Sequence, residues 1–168
     1  MPARGRRAAV VRRRRARSLE VGRGIEAEIT LRLGAEVHAS RVAGLDLDGA
    51  LALVDAMCVS IEVVDSRWPE GLQAPTWSKP AAVQLHGALV LGDWVPYRAF
   101  DWRVQRCEVR IGGAAAQVFQ GTHSLVHPGG VLLPWLRHAT QHGAVVPAGS
   151  VVTTGTWCGL LQAFSVMA

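Results

Sequence analysis

Three glutamates carry the chemistry that this sequence offers. The stretch Gly24-Ile25-Glu26-Ala27-Glu28-Ile29 sets two of them two positions apart inside an otherwise apolar run. On a β-strand, residues i and i+2 share a face, so Glu26 and Glu28 project together while Ile25, Ala27 and Ile29 pack behind them. A bare Glu-x-Glu is most often the solvated face of a half-buried strand. A second stretch, Ser60-Ile61-Glu62-Val63-Val64-Asp65-Ser66-Arg67, shifts that balance. It puts another carboxylate inside a β-branched run, where an unpaired charge is expensive to bury. Three carboxylates converging from two strands make a hard, oxygen-only site suited to Mg²⁺ or Mn²⁺.

Other chemistry-bearing residues make weaker patterns. His138 and His142 stand four apart on an expected helix, a spacing that can hold Zn²⁺, but no HExxH motif accompanies them and a polar helix face is the expectation. Ser124 lacks the Gly-x-Ser-x-Gly context of a nucleophile. Trp94, Trp102, Trp135 and Trp157 are expected as core or interface anchors rather than stacking platforms. Cys58, Cys107 and Cys158 lie far apart with no CxxC spacing, the pattern of a reduced, cytoplasmic protein.

The elements that must position the glutamates follow from composition and pattern. A length of 168 residues is one domain's worth, and 18 glycines with 8 prolines favour a strand-rich fold over a bundle. Charge is split: residues 1–24 hold nine of the 18 basic residues and one of the 13 acidic ones, so the arm carries +8 and the remainder −3. The arm, 1–23, is Arg/Ala/Gly-rich without an apolar period and is expected to be disordered or a frayed helix. Clustered arginines can neutralise phosphates, but without interleaved aromatics a nucleic-acid partner is disfavoured. The same bias is what a GC-rich frame yields from an incorrect start, so a solvated or artefactual tail is the expectation. No apolar stretch suits a membrane span.

Residues 25–33 read as the first strand. Asp46 or Asp48 can cap a helix whose Leu51, Leu53, Val54 and Met57 would face the core, running into a strand at 59–64 that carries Glu62. Residues 68–80 are a proline- and glycine-punctuated loop, and 88–91 a short strand. A hairpin is expected from 105–111 and 115–120 about Gly112-Gly113. Residues 130–142 read as a helix with Pro134 in its first turn and Gly143 as its C-cap, before a closing strand at 150–154.

In this order, segments 24–33, 54–67, 87–97, 101–112, 121–124 and 135–157 resemble the 2-keto-4-pentenoate hydratase / 4-oxalocrotonate decarboxylase group of the fumarylacetoacetate hydrolase-like superfamily. The resemblance implies an α+β fold, a mixed β-roll with flanking helices, incomplete here, and a partial catalytic domain over 24–168. It implies a divalent metal on Glu26, Glu28 and Glu62. The substrates it implies are short 2-oxo or 2-hydroxydienoic acids from meta-cleavage of aromatic rings. Within that class the expectation is a metal-dependent lyase, a 2-hydroxypenta-2,4-dienoate hydratase. The alternatives are 4-oxalocrotonate decarboxylase and a catalytically silent subunit kept for assembly.

The resemblance also points to Asp65 and Arg67, which can order the carboxylates or meet a substrate carboxylate, to His123 in Gly121-Thr122-His123-Ser124, and to Lys79. For Asp65 and Arg67 a surface ion pair, and for His123 a loop histidine satisfied by backbone, are equal alternatives. Relatives carry Lys-x-x-Asp-Asn-x-Ser where this chain has Lys79-Pro80-Ala81-Ala82-Val83-Gln84-Leu85, so Ala82, Val83 and Leu85 replace polar side chains. Relatives also carry a lysine-bearing segment ahead of the Glu-x-Glu strand, where the arginine arm stands here. Val126-His127 replaces a Gly-Asp. The expected partners are a small 2-oxo acid and either further copies of this chain or a related hydratase or decarboxylase subunit.

Overall fold

The structure, a computed structural model, describes residues 9–10 and 24–162. The expectation of a disordered arm therefore lies outside the described residues, except at Ala9–Val10. In chain order the elements are β1 (Ala9–Val10), β2 (Gly24–Leu33), α1 (Ala39–Val42), α2 (Leu47–Leu51), β3 (Val54–Val64), β4 (His86–Leu91), β5 (Val95–Pro96), β6 (Arg106–Val109), β7 (Gln117–Gln120), α3 (Leu132–Ala139), β8 (Val151–Thr156) and β9 (Leu161–Gln162).

Two long strands form the axis. β2 and β3 pair antiparallel from Gly24↔Val64 to Leu33↔Val54. β4 lies on the other edge of β3 with β1 beyond it, and β8 and β9 share the free edge of β2. Every described pairing is antiparallel, and the sheet stays open rather than closing into a barrel. Few helices accompany it, so the fold is a sheet-dominated α+β unit.

Strand alternation divides β2 into two faces. Leu31 and Leu33 point into a core with Val37, Val42, Ala50, Met57, Trp102, Leu132, Leu136 and Trp157. α3 supplies Leu132 and Leu136 at i and i+4, both fully buried, the stripe that docks a short helix on a sheet. The other face of β2 carries Glu26, Glu28 and Thr30, and there Thr30 Oγ1 donates to Ser60 Oγ at 2.7 Å across the ladder.

The first strand, the loop after Trp68 and the Asp46 cap form where the residues indicate; Asp46 Oδ1 accepts from Gly49 N at 2.8 Å. Two helices end sooner than their patterns suggest. α2 stops at Leu51, and Val54 and Met57 belong to β3. Their burial is real, but pairing along the whole of β2 outweighs the helical period. α3 ends at Ala139: Thr140 still makes the helical bond from its N–H to Leu136 O (3.0 Å), but its backbone leaves the helical region at φ −97°, ψ 4°, and His142 follows in the left-handed region at φ +57°. Gly143, at φ +77°, closes a separate turn over Gln141–Gly143 instead of capping α3. In the hairpin, β6 and β7 are shorter than expected and the connection is longer than a two-residue turn.

Candidate metal centre

Glu26 and Glu62 are cross-strand partners, and Glu28 sits two residues along the same face, opposite Ser60. One carboxylate oxygen from each lies within 4.8 Å of the others. Directly opposed like charges destabilise a sheet, so this arrangement asks for a cation between them. Glu28 is 3 % exposed, and its Oε2 has no hydrogen-bond partner. Burial is the main reason its carboxyl is pushed up to about 7; Glu62 and Glu26 add repulsion, and the backbone N–H groups of Gly155 and Thr154 offset part of it. Glu26 is also raised, by burial first and then by Glu62. Three acidic oxygens with one orphaned acceptor fit a hard divalent cation. Among the described residues this is the only cluster of three metal-competent side chains; His138 and His142 form none.

A bulge shapes the wall beside Glu28. In the β2–β8 ladder the register shifts between Glu28 and Thr30, and Gly155 takes φ +92°, a left-handed conformation suited to glycine. Thr154 Oγ1 donates to Ile29 O at 2.7 Å. His123 is 4 % exposed and engaged at both ring nitrogens: Nδ1 accepts from Leu125 N at 3.1 Å, which makes Nε2, 3.2 Å from Thr154 Oγ1, the protonated donor. Burial lowers its pKa and favours that neutral form. Its edge meets Trp157, which in turn packs on Trp102.

The remaining expected residues lie past the end of β3 and in the turns that lead into β4. Asp65 N donates to Leu85 O at 2.8 Å, and Arg67 Nη2 reaches His86 O at 3.4 Å. Lys79 joins two 3₁₀ turns, Thr76–Ser78 and Pro80–Leu85, and its carbonyl accepts from Gln84 N at 3.0 Å. Val83, Gln84 and Leu85 all take positive φ. One partner was not foreseen: His86 Nδ1 lies 2.7 Å from Glu62 Oε1. A separate cavity of about 440 Å³, lined by Ala27, Ile29, Met57, Val59, Trp102 and Trp157 among others, touches Glu28 but neither Glu26 nor Glu62.

The fumarylacetoacetate (FAA) hydrolase C-terminal family matches residues 3–166. This chain belongs to that family. No curated protein matches the sequence. Among solved structures, the magnesium–adipate complex of 4-oxalocrotonate decarboxylase from Pseudomonas putida G7 superposes with a TM-score of 0.67 at 22% identity, covering 84% of this chain and 52% of that one. The calcium–acetate complex of the same enzyme gives 0.64 with the same identity and coverage. A putative isomerase from Escherichia coli gives 0.55 at 16% identity over 90% of this chain and 68% of that one. These likenesses establish the FAA hydrolase C-terminal fold. The chain spans about half the length of the decarboxylase it matches.

Proposed function

We propose that this FAA hydrolase family member is the metal-binding catalytic part of a lyase for short 2-oxo and 2-hydroxydienoic acids, acting as a 2-hydroxypenta-2,4-dienoate hydratase. The observation that carries the reading is the convergence of Glu26, Glu28 and Glu62 within 4.8 Å, with Glu28 buried and one of its oxygens orphaned. A Mg²⁺ or Mn²⁺ ion held there would supply Lewis-acid stabilisation to the enolate of a 2-oxo acid. Glu26, Glu28 and Glu62 serve as its anionic ligands. In this reading Asp65 and Arg67, which follow β3 a few residues past Glu62, order the carboxylates or meet the substrate carboxylate, a task that suits a guanidinium. Lys79 is the cationic side chain of the adjoining turn, and His123 buttresses the β8 bulge through Thr154. The reading includes a cytoplasmic assembly of this chain with its own copies or with a related hydratase or decarboxylase subunit.

The test is loss of dienol absorbance by the purified chain with Mg²⁺, with chelator, and in Glu62→Gln. Slow turnover that needs the metal and disappears in the variant is expected, because Ala82, Val83 and Leu85 offer no side-chain acid or base. Decarboxylation of 4-oxalocrotonate in the same assay, with no hydration, would move the reading to that alternative. Metal binding without turnover of either acid would leave the silent subunit, and turnover indifferent to chelator would refute the metal mechanism.

A further inference from the structure

His86 touches the carboxylate cluster and has no part in the reading above. An unbroken ladder would not bring it there. Glu62 pairs with Leu89 and Val63 with Ala88, so regular pairing would set Val64 against Gly87 and turn His86 to the face away from the carboxylates. Instead the register shifts between Val63 and Val64. Gly87 becomes the extra residue of a bulge, and His86 comes opposite Val64 on the Glu62 side. Glycine is what lets the bulge close: a Cβ at position 87 would stand 2.8 Å from Val63 O and 2.7 Å from Asp65 Cβ.

The chain on either side is held as well. Val83, Gln84 and Leu85 take φ of 55°, 54° and 66°, a conformation that non-glycine residues rarely adopt in succession. Leu85 O accepts from Asp65 N, and His86 O accepts from Arg67 Nη2. A left-handed run, a bulge and two ties all act on the placement of one imidazole. We infer that His86 is a positioning residue of the metal centre. Its Nδ1–H donates to one oxygen of Glu62, fixes the rotation of that carboxylate and leaves the other oxygen for the cation. Histidine–carboxylate contacts of this kind, outside the ligands themselves, typically govern about 10–100-fold in metal affinity.

The inference rests on the metal-centre reading, and the test separates the two. Mn²⁺ is titrated calorimetrically into the full chain and its variants, with thermal unfolding of each in chelator. His86→Ala should weaken Mn²⁺ binding roughly 10–100-fold while leaving the chelated melting temperature unchanged. His86→Asn, whose amide donates from near the Nδ1 position, should restore most of the affinity. If the alanine variant fails to fold, Asn is compared with Leu, which has a similar shape and no donor. Equal affinity across these variants, or equal loss in Asn and Leu, overturns the role of His86 while Glu28→Gln and Glu62→Gln still abolish binding. Mn²⁺ binding that survives those two glutamine variants overturns the metal centre itself.

Discussion

Glu28 shows most directly what the site does to a single residue. Its carboxyl titrates near 7 in the fold against an ordinary 4.5, so the folded chain holds the proton more tightly than the unfolded one. The stabilisation from that proton is complete below about pH 4.5 and is lost as pH rises through 7. Above that range the ionised, metal-free carboxylate destabilises the fold by on the order of 3 kcal/mol. Thermal unfolding in chelator should therefore show a melting temperature that falls between pH 4.5 and 8. Glu28→Gln should raise it at pH 8 by roughly 5–10 °C and remove any shift on adding Mg²⁺. A variant less stable than the parent at pH 8 would contradict this account. Metal affinity in the parent should climb with pH through the same window, because the ligand must shed its proton first.

At the scale of elements, two bulges do the aiming: one in β8 about Gly155, the other in β4 about Gly87. Gly155→Ala puts a side chain at φ +92° and disturbs the N–H groups that face Glu28. Chemical denaturation should record a loss of about 1–2 kcal/mol, together with weaker Mn²⁺ binding; unchanged stability would mean that the bulge does not depend on glycine. The Glu-x-Glu strand, the β-branched run with Glu62 and the Asp46 cap were legible because each is a local pattern. The ends of α2 and α3 were not, since cross-strand pairing sets the first and the left-handed backbone of His142, a non-glycine residue, follows the second. His86 escaped notice for a related reason. Period-two reading puts it on the wrong face, and Gly87 is the single sequence signal of the slip. Nothing in Val83-Gln84-Leu85, which contains no glycine, announces a left-handed run.

The whole molecule sets an arm of +8 against a remainder of −3. Deleting residues 2–23 should abolish retention on a polyanion such as heparin, and the parent's retention should fall steeply with NaCl; a sequence-selective nucleic-acid complex that survives moderate salt would refute this. The deletion also removes the strand that pairs Ala9 with Leu91 and Val10 with Val90, leaving the edge of β4 open. The opposed acids at the centre of the sheet have a consequence of another kind. Glu26, half-buried, and Glu28, buried, both beside Glu62, are held above the ordinary carboxylate range, so their ionised forms weaken the metal-free fold, and exchanging either for its amide should relieve the strain. A gene copy drifting without a task would meet that exchange early and nothing would oppose it, since it brings stability and forfeits no chemistry in use. Persistence of all three acids among descendants of this gene would therefore argue for continuing selection on an ion bound there.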